Sequence, residues 1–204
     1  MASIYDLKPR FQALLRPVCK GLAKAGVTAN QVTIAAAVLS AAAGAWIAFE
    51  PLSPLPYLML PLVLFFRMAL NAIDGLLARE FDMRSPLGAI LNEIGDVVSD
   101  VALYLPFGFH PSVPWWTIIG IVLLSIIVEM VGIVSVQIGA SRRYDGPFGK
   151  SDRALAFGFL GLLFGLGFSG DQWVFWYLLI ALGLSALTAI NRARKALKEL
   201  GVAE

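Results

Sequence analysis

Cysteine and histidine are nearly absent from this chain of 204 residues, which has one Cys, Cys19, and one His, His110. A single cysteine excludes a disulfide framework and any multi-cysteine metal knuckle. A single histidine excludes a histidine-rich metal centre. Any metal must therefore be held mainly by oxygen, which favours hard divalent ions such as magnesium, manganese or calcium. Charge is scarce as well. Only 15% of the residues are charged, against about a quarter in ordinary soluble domains. With 58% apolar residues and a mean hydropathy of +0.77, the composition excludes an ordinary water-soluble domain. The net charge of +2 carries little information; the placement of the charges carries much more.

Long apolar runs are what the chain has in abundance. A helix crossing a bilayer needs about 20 apolar residues. Six segments meet that need: 30–49, 55–78, 87–107, 115–138, 153–169 and 172–191. Pro51, Pro54 and Pro56 follow the first, Pro106, Pro111 and Pro114 the third, and Ser169-Gly170-Asp171 the fifth. The loops are short, so the spans are expected to be antiparallel neighbours. The expected fold is an all-α integral membrane protein forming one domain over residues 1–204. It has six transmembrane helices plus an N-terminal amphipathic surface helix within 1–25. In that segment Phe11, Leu14, Leu15, Val18 and Leu22 recur at helical spacing among Arg10, Arg16, Lys20 and Lys24, as in a helix lying on a membrane face. The segment lacks the apolar core of a cleavable signal peptide.

Basic residues set the expected orientation. Lys8, Arg10, Arg16, Lys20 and Lys24 precede the first span, and Arg79 and Arg84 lie between the second and third. Arg142, Arg143, Lys150 and Arg153 lie between the fourth and fifth, and Arg192, Arg194, Lys195 and Lys198 follow the sixth. The other three loops hold only Glu50, His110 and Asp171 as ionisable residues. By the positive-inside rule both termini are cytoplasmic, most simply in a bacterial cytoplasmic membrane. Trp115, Trp116, Trp173, Trp176 and Tyr177 fall at outer span ends, as an interfacial belt does.

Ionisable groups inside spans are costly and mark function or pairing. Here they are Arg67, Asp74, Glu93, Asp96, Asp100 and Glu129. On the second span Arg67, Asn71, Asp74 and Ala78 share one face at i, i+4, i+7, i+11 spacing, with Gly75 beside them. On the third, Gly88, Asn92 and Asp96 follow i, i+4, i+8, and Glu93, Asp96 and Asp100 form an adjoining stripe. Two antiparallel helices turn these faces together and make a carboxylate- and amide-lined cleft, with small residues leaving room for a ligand. Arg67 is expected to neutralise one of Glu93, Asp96 or Asp100. Glu129 is expected to make a packing hydrogen bond, and Gly158, Gly161, Gly165 and Gly167 to allow close helix approach.

The run from Asn71-Ala-Ile-Asp74-Gly75-Leu-Leu-Ala78-Arg79 through Gly88 and Asn92 to Asp96 resembles the signature of the CDP-alcohol phosphatidyltransferases. That signature is D-x-x-D-G-x-x-A-R-x8-G-x3-D-x3-D. Asp74, Gly75, Ala78, Arg79, Gly88 and Asp96 match it at the same spacing, and Asn71 and Asn92 stand at its first and third aspartates. Thr28-Ala29-Asn30-Gln31-Val32-Thr33 is similar to the T-P-N-x-x-T that opens the family's first span.

The resemblance implies four carboxylates holding two divalent cations, which clamp the diphosphate of a CDP-linked donor. The last aspartate, here Asp96, is expected to activate the attacking hydroxyl. Transfer to an alcohol needs positive charge on the developing phosphate oxygens and a base near the hydroxyl. The expected metal set is Asp74, Asp96, Asn71 and Asn92, with Glu93 and Asp100 restoring the charge the asparagines lack. It holds one or two ions of Mg2+ or Mn2+. The expected nucleotide site is Asn30, Thr33, Asp74, Gly75, Ala78, Arg79 and Gly88. Arg142, Arg143, Lys150 and Arg153 are expected to bind the acceptor, with glycerol 3-phosphate as first candidate and inositol phosphate, serine or another polyol as others. The expected reaction transfers a phosphatidyl group from CDP-diacylglycerol to a polar alcohol and releases CMP. Membrane lipids are further expected partners, nucleic acid is not, and a homodimer stays open. Two other classes compete: a non-catalytic relative, motivated by Asn71 and Asn92, and a small transporter, for which the chain lacks the internal repeats.

Overall fold

The computed structural model describes the backbone of residues 4–202 and the side chains of residues 11–202. Residues 1–3 of the expected surface segment, the termini at Met1 and Glu204, and the side chains of Lys8 and Arg10 lie outside the described residues. All regular structure among the described residues is helical. The helices are α1 (Ile4–Lys24), α2 (Ala29–Phe49), α3 (Pro54–Glu80), α4 (Pro86–Tyr104), α5 (Trp115–Gln137), α6 (Lys150–Gly165) and α7 (Asp171–Glu199). A short 3₁₀ turn, Leu105–Phe109, follows α4. Four helices, α2, α3, α5 and α7, are long and apolar enough to cross a membrane. The two other expected spans fall on α4 and α6. Helix α4 carries Glu93, Asp96 and Asp100, and α6 has 16 residues, about 24 Å of rise, and starts with Lys150, Asp152 and Arg153.

The chain divides into two compact units. The first comprises Met1–Ala42 and Leu62–Ser99, the second Ala43–Pro61 and Asp100–Glu204. In the first, α1 is apolar on more than one side. Leu15, Cys19, Leu22 and Ala23 pack onto Ala29, Val32, Ile73, Leu76 and Leu77 of α2 and α3, which follows from their i, i+4, i+7, i+8 spacing. Leu14 and Val18 remain exposed. Arg16 grips Glu80 through two nitrogens, at 3.0 and 3.1 Å, but an exposed pair of this kind contributes less than about 1 kcal/mol. The apolar seam therefore holds α1 in place.

In the second unit α5 packs along α7, and aromatic rings fill the space beside them. Tyr57 meets Phe107 and Phe164 edge-on at 5.4 and 5.5 Å, and Tyr104 stacks on Phe157 at 4.1 Å. Glycines set the closest approaches. A Cβ on Gly165 would lie 2.9 Å from the Leu58 backbone nitrogen, and one on Gly161 3.3 Å from the Tyr57 carbonyl. The expected small-residue packing of α6 is thus directed at Tyr57–Leu60. Gly44 is the tightest position: a Cβ there would fall 1.8 Å from the Ala102 carbonyl oxygen.

That contact makes a stability prediction. Gly44→Ala forces the backbone apart, and overpacking of this kind costs about 3 kcal/mol. Gly183 faces open space in the interior of α7, where Gly→Ala stabilises by up to about 1 kcal/mol. Thermal melting of both variants in detergent is expected to show a clear fall for the first and no fall for the second.

Candidate metal and nucleotide site

Local sequence signals place each wall of the site. Helix α2 opens with a reciprocal cap: the Gln31 N–H donates to Thr28 Oγ1 at 3.3 Å and the Thr28 N–H to Gln31 Oε1 at 2.9 Å, the arrangement of a capping box. This cap brings Asn30 and Thr33 to the cleft. Helices α3 and α4 are joined by residues 81–85, where Asp82 takes a left-handed φ of 56°, a conformation Asp tolerates in tight turns. Ser85 then starts α4. Its Oγ accepts from the Gly88 N–H at 2.9 Å, and Pro86 occupies the first helical position, as its missing N–H allows.

These elements enclose a cleft of about 540 Å³ lined by Asn30 and Thr33 from α2, Asn71, Asp74, Gly75, Ala78 and Arg79 from α3, and Gly88, Asn92 and Glu93 from α4. Met83, Arg84 and Ser85 of the connection complete the rim. Asp74 is the buried anchor, 4% exposed. Its Oδ2 lies 2.8 Å from the Thr33 hydroxyl and accepts from Asn92 Nδ2 at 3.5 Å. Asn71 Nδ2 donates to Asp96 Oδ1 at 3.1 Å, and Arg67 Nη2 donates to the Asp96 main-chain carbonyl at 3.2 Å. Arg79 folds back over Gly75, so a Cβ on Gly75 would touch its guanidinium at 3.0 Å. A Cβ on Gly88 would lie 2.7 Å from Asn30 Oδ1. Both glycines thus keep polar groups at the cleft wall in place.

A family model for CDP-alcohol phosphatidyltransferase matches residues 26–189. The chain belongs to that family. Along nearly its whole length it is similar to the inner membrane protein YnbA of Escherichia coli (strain K12), with 48% identity over 198 residues, 96% of each chain. Its fold is similar to that of the phosphatidylinositol phosphate synthase PgsA1 of Mycobacterium tuberculosis with CDP-DAG bound. That likeness has a TM-score of 0.75 at 20% identity, covering 92% of this chain and 96% of that one. The same synthase in complex with manganese and citrate also gives 0.75 at 20% identity, over 92% and 91% of the two chains.

All seven residues expected for the nucleotide in this family member line this cleft. Asn71, Asn92 and Glu93 of the expected metal set line it too, and Asp96 joins through Asn71. The donors are carboxylate and amide oxygens, the chemistry that suits a hard divalent ion. Among the described residues no three Asp, Glu, His or Cys side chains group into a metal cluster. Both amides also turn their N–H groups toward the carboxylates. The oxygen donors present fit a hard divalent ion.

The second unit uses the remaining ionisable residues differently from the sequence expectation. Asp100, expected to supplement the metal ligands, accepts from Arg153 Nε and Nη2 at 3.1 and 2.9 Å. Arg153, expected to bind the acceptor, is fully buried and also reaches Glu129 Oε1 at 3.1 Å. Burial explains both outcomes, because a charge without water needs an opposite charge beside it. Glu129 makes more than the single packing hydrogen bond expected. It also holds Arg192 at 3.3 Å and Arg142 at 3.6 Å. Arg143 pairs with Asp145 at 2.9 Å and with Glu199. Lys150 begins α6, whose first turn is fixed by the Gly149 N–H on Asp152 at 2.9 Å. Arg192 and Arg84 enter the sequence reading only as orientation charges, and Ser85 does not enter it. The Ser-Pro step before α4 was the available signal for Ser85; nothing local signals Arg192.

The segment around 141–149 carries a pH dependence. Burial pushes the Asp145 carboxyl up, but hydrogen bonds from Lys195 and Arg143 outweigh this and hold it below the usual range. The Ser141 hydroxyl and N–H, with Arg143, hold Glu199 low as well. A carboxyl depressed in the folded state stabilises fully above its unfolded value, about 4, and loses that contribution as pH falls through the folded value. Amide exchange of 141–149, corrected for intrinsic rates, is therefore expected to keep its protection down to about pH 5 and to lose it toward pH 3, while α5 stays protected.

Proposed function

We propose that this chain is an integral membrane enzyme that transfers the phosphatidyl group of CDP-diacylglycerol to a polar alcohol and releases CMP. The observation that carries this reading is the Asp74 carboxylate. It is buried, held by Thr33 of α2 and Asn92 of α4, in a cleft whose rim carries Arg79 and Arg84. Cations at the rim and oxygen donors on the wall suit a diphosphate bridged to a hard metal ion. Asp74, Asp96, Asn71 and Asn92 would hold Mg2+ or Mn2+, which when bound supplies positive charge to the developing phosphate oxygens. Asn30 and Thr33, with Gly75, Ala78 and Gly88, shape the nucleotide end. Asp96 takes the proton of the attacking hydroxyl, oriented by Asn71 on its carboxylate and Arg67 on its carbonyl. The hydroxyl oxygen bonds to the phosphorus that bears the diacylglycerol, the bond to the CMP oxygen breaks, and CMP leaves with the electron pair.

The acceptor is a small polar alcohol, with glycerol 3-phosphate tried first. Three of the four basic residues expected to recognise it, Arg142, Arg143 and Arg153, pair with carboxylates; Lys150, the first residue of α6, is the residue proposed for its phosphate. The chain spans the membrane six times, with α4 and α6 completing the four strongly apolar spans. Both termini face the cytoplasm. The exposed Leu14 and Val18 of α1 rest in the interfacial layer.

A second reading is a relative that binds CDP-lipid without turnover, favoured by the two asparagine amides that face the carboxylates. Purified protein with CDP-diacylglycerol, Mn2+ and a panel of alcohols decides between them. CMP release with at least one alcohol is expected, Asp96→Asn should lower it at least about 100-fold, and Asp74→Asn should raise the Mn2+ needed for half-maximal rate. No release with any alcohol, with CDP still bound, selects the non-catalytic reading.

Orientation has its own test. In a chain whose Cys19 is replaced, a membrane-impermeant maleimide on intact cells is expected to label Pro111→Cys and leave Tyr144→Cys unlabelled. The reverse pattern overturns the orientation.

A further inference from the structure

Behind the cleft wall lies a buried positive charge that the signature does not include. Arg67 sits one turn before Asn71 on the same face of α3, is 3% exposed, and donates to the main-chain carbonyl of Asp96. A guanidinium keeps its charge at every relevant pH, so a fixed cation stands on the main chain of the residue whose carboxylate a metal would use. Asn71 occupies that same carboxylate with an amide N–H, and Asn92 directs an amide N–H at Asp74. An N–H on a carboxylate oxygen takes a lone pair that a cation would otherwise use.

Charge arithmetic then separates one ion from two. Four aspartates and two divalent ions sum to zero. At the same four signature positions this chain carries two negative charges, Asp74 and Asp96, in place of four. One divalent ion brings the site to zero, whereas two leave it at +2 before any substrate arrives. Uncompensated charge in a poorly solvated cleft is strongly disfavoured.

We propose that this chain binds one divalent cation where its family signature implies two, with Arg67 and the amides of Asn71 and Asn92 taking the place of the second. This rests on the reading of the cleft as a metal-assisted diphosphate site and assigns Arg67 as a positioning residue within it. Arg67 acts through Asp96 and has no expected contact with the reacting atoms.

The test counts ions directly. Full-length protein in detergent, saturated with CDP, is dialysed against Mn2+, and bound manganese per chain is measured, with the Mn2+ electron paramagnetic resonance spectrum recorded alongside. One ion per chain and the signal of an isolated ion are expected. The triple variant Arg67→Met/Asn71→Asp/Asn92→Asp is expected to bind two ions with the spectrum of a coupled pair. Arg67→Met alone is expected to tighten the single ion about tenfold by removing a like charge. Arg67→Lys, which keeps the charge, is expected to leave it within about twofold. Two ions or none in the unmodified chain, or one ion in a folded triple variant, overturns the proposal. If the triple variant does not fold, the count in the unmodified chain decides. CMP release measured on the same samples separates the two levels. Turnover with two ions sinks this inference alone, and one ion without turnover sinks the enzymatic reading alone.

Discussion

Charge buried among apolar helices has to be matched at close range, because no water is there to screen it. The second unit shows the rule at its fullest. Glu129 on α5, Arg153 on α6, Arg192 on α7 and Asp100 at the end of α4 come from four separate helices, and none is more than 8% exposed. Each finds its counter-charge on a different helix, so the register of the helices is tied to these contacts. Arg192 also donates to the Val128 carbonyl at 2.8 Å and the Asp145 carbonyl at 3.1 Å, satisfying several donors of one guanidinium at once. A network with several members bonded in this way specifies one arrangement of its helices.

The first unit obeys the same rule with fewer charges. Asp74 is held by a hydroxyl and an amide, and Asp96 by an amide, with Arg67 anchored on its main chain. Replacing aspartates by asparagines lowers the negative charge of the cleft, and the amides then supply the hydrogen bonds that aligned the remaining carboxylates need. The likeness to PgsA1 is a likeness of fold at 20% identity. The chemistry proposed for this chain therefore rests on its own cleft residues and on the family signature.

Close backbone approach is the other constraint on the architecture. Gly44 against Ala102, and Gly161 and Gly165 against Tyr57–Leu60, remove side chains where helices touch. Without an aqueous hydrophobic effect between helices in a membrane, dispersion contacts of this density supply much of the association. The aromatic rings of Tyr57, Phe107, Phe157 and Phe164 pack against one another in the same unit.

The sequence by itself determined a great deal. Apolar run length marked the helices, because a helix satisfies its own backbone in an apolar solvent. The i, i+3 spacing of Asn71 and Asp74, and the i, i+4 spacing of Asn92 and Asp96, set the faces that form the cleft, since helical periodicity is a local property. Fixed signature spacing identified the family. Tertiary structure alone decided where the other charges went. Asp100 lies one turn from Asp96, and spacing grouped them, yet Asp100 is held by Arg153, 53 positions away. Arg153 resembled a surface cation of a basic loop, and is fully buried instead. Glu129 looked solitary, and three arginines converge on it. Pairing between distant helices follows from packing and from the cost of burying charge, and neither quantity is written in local spacing.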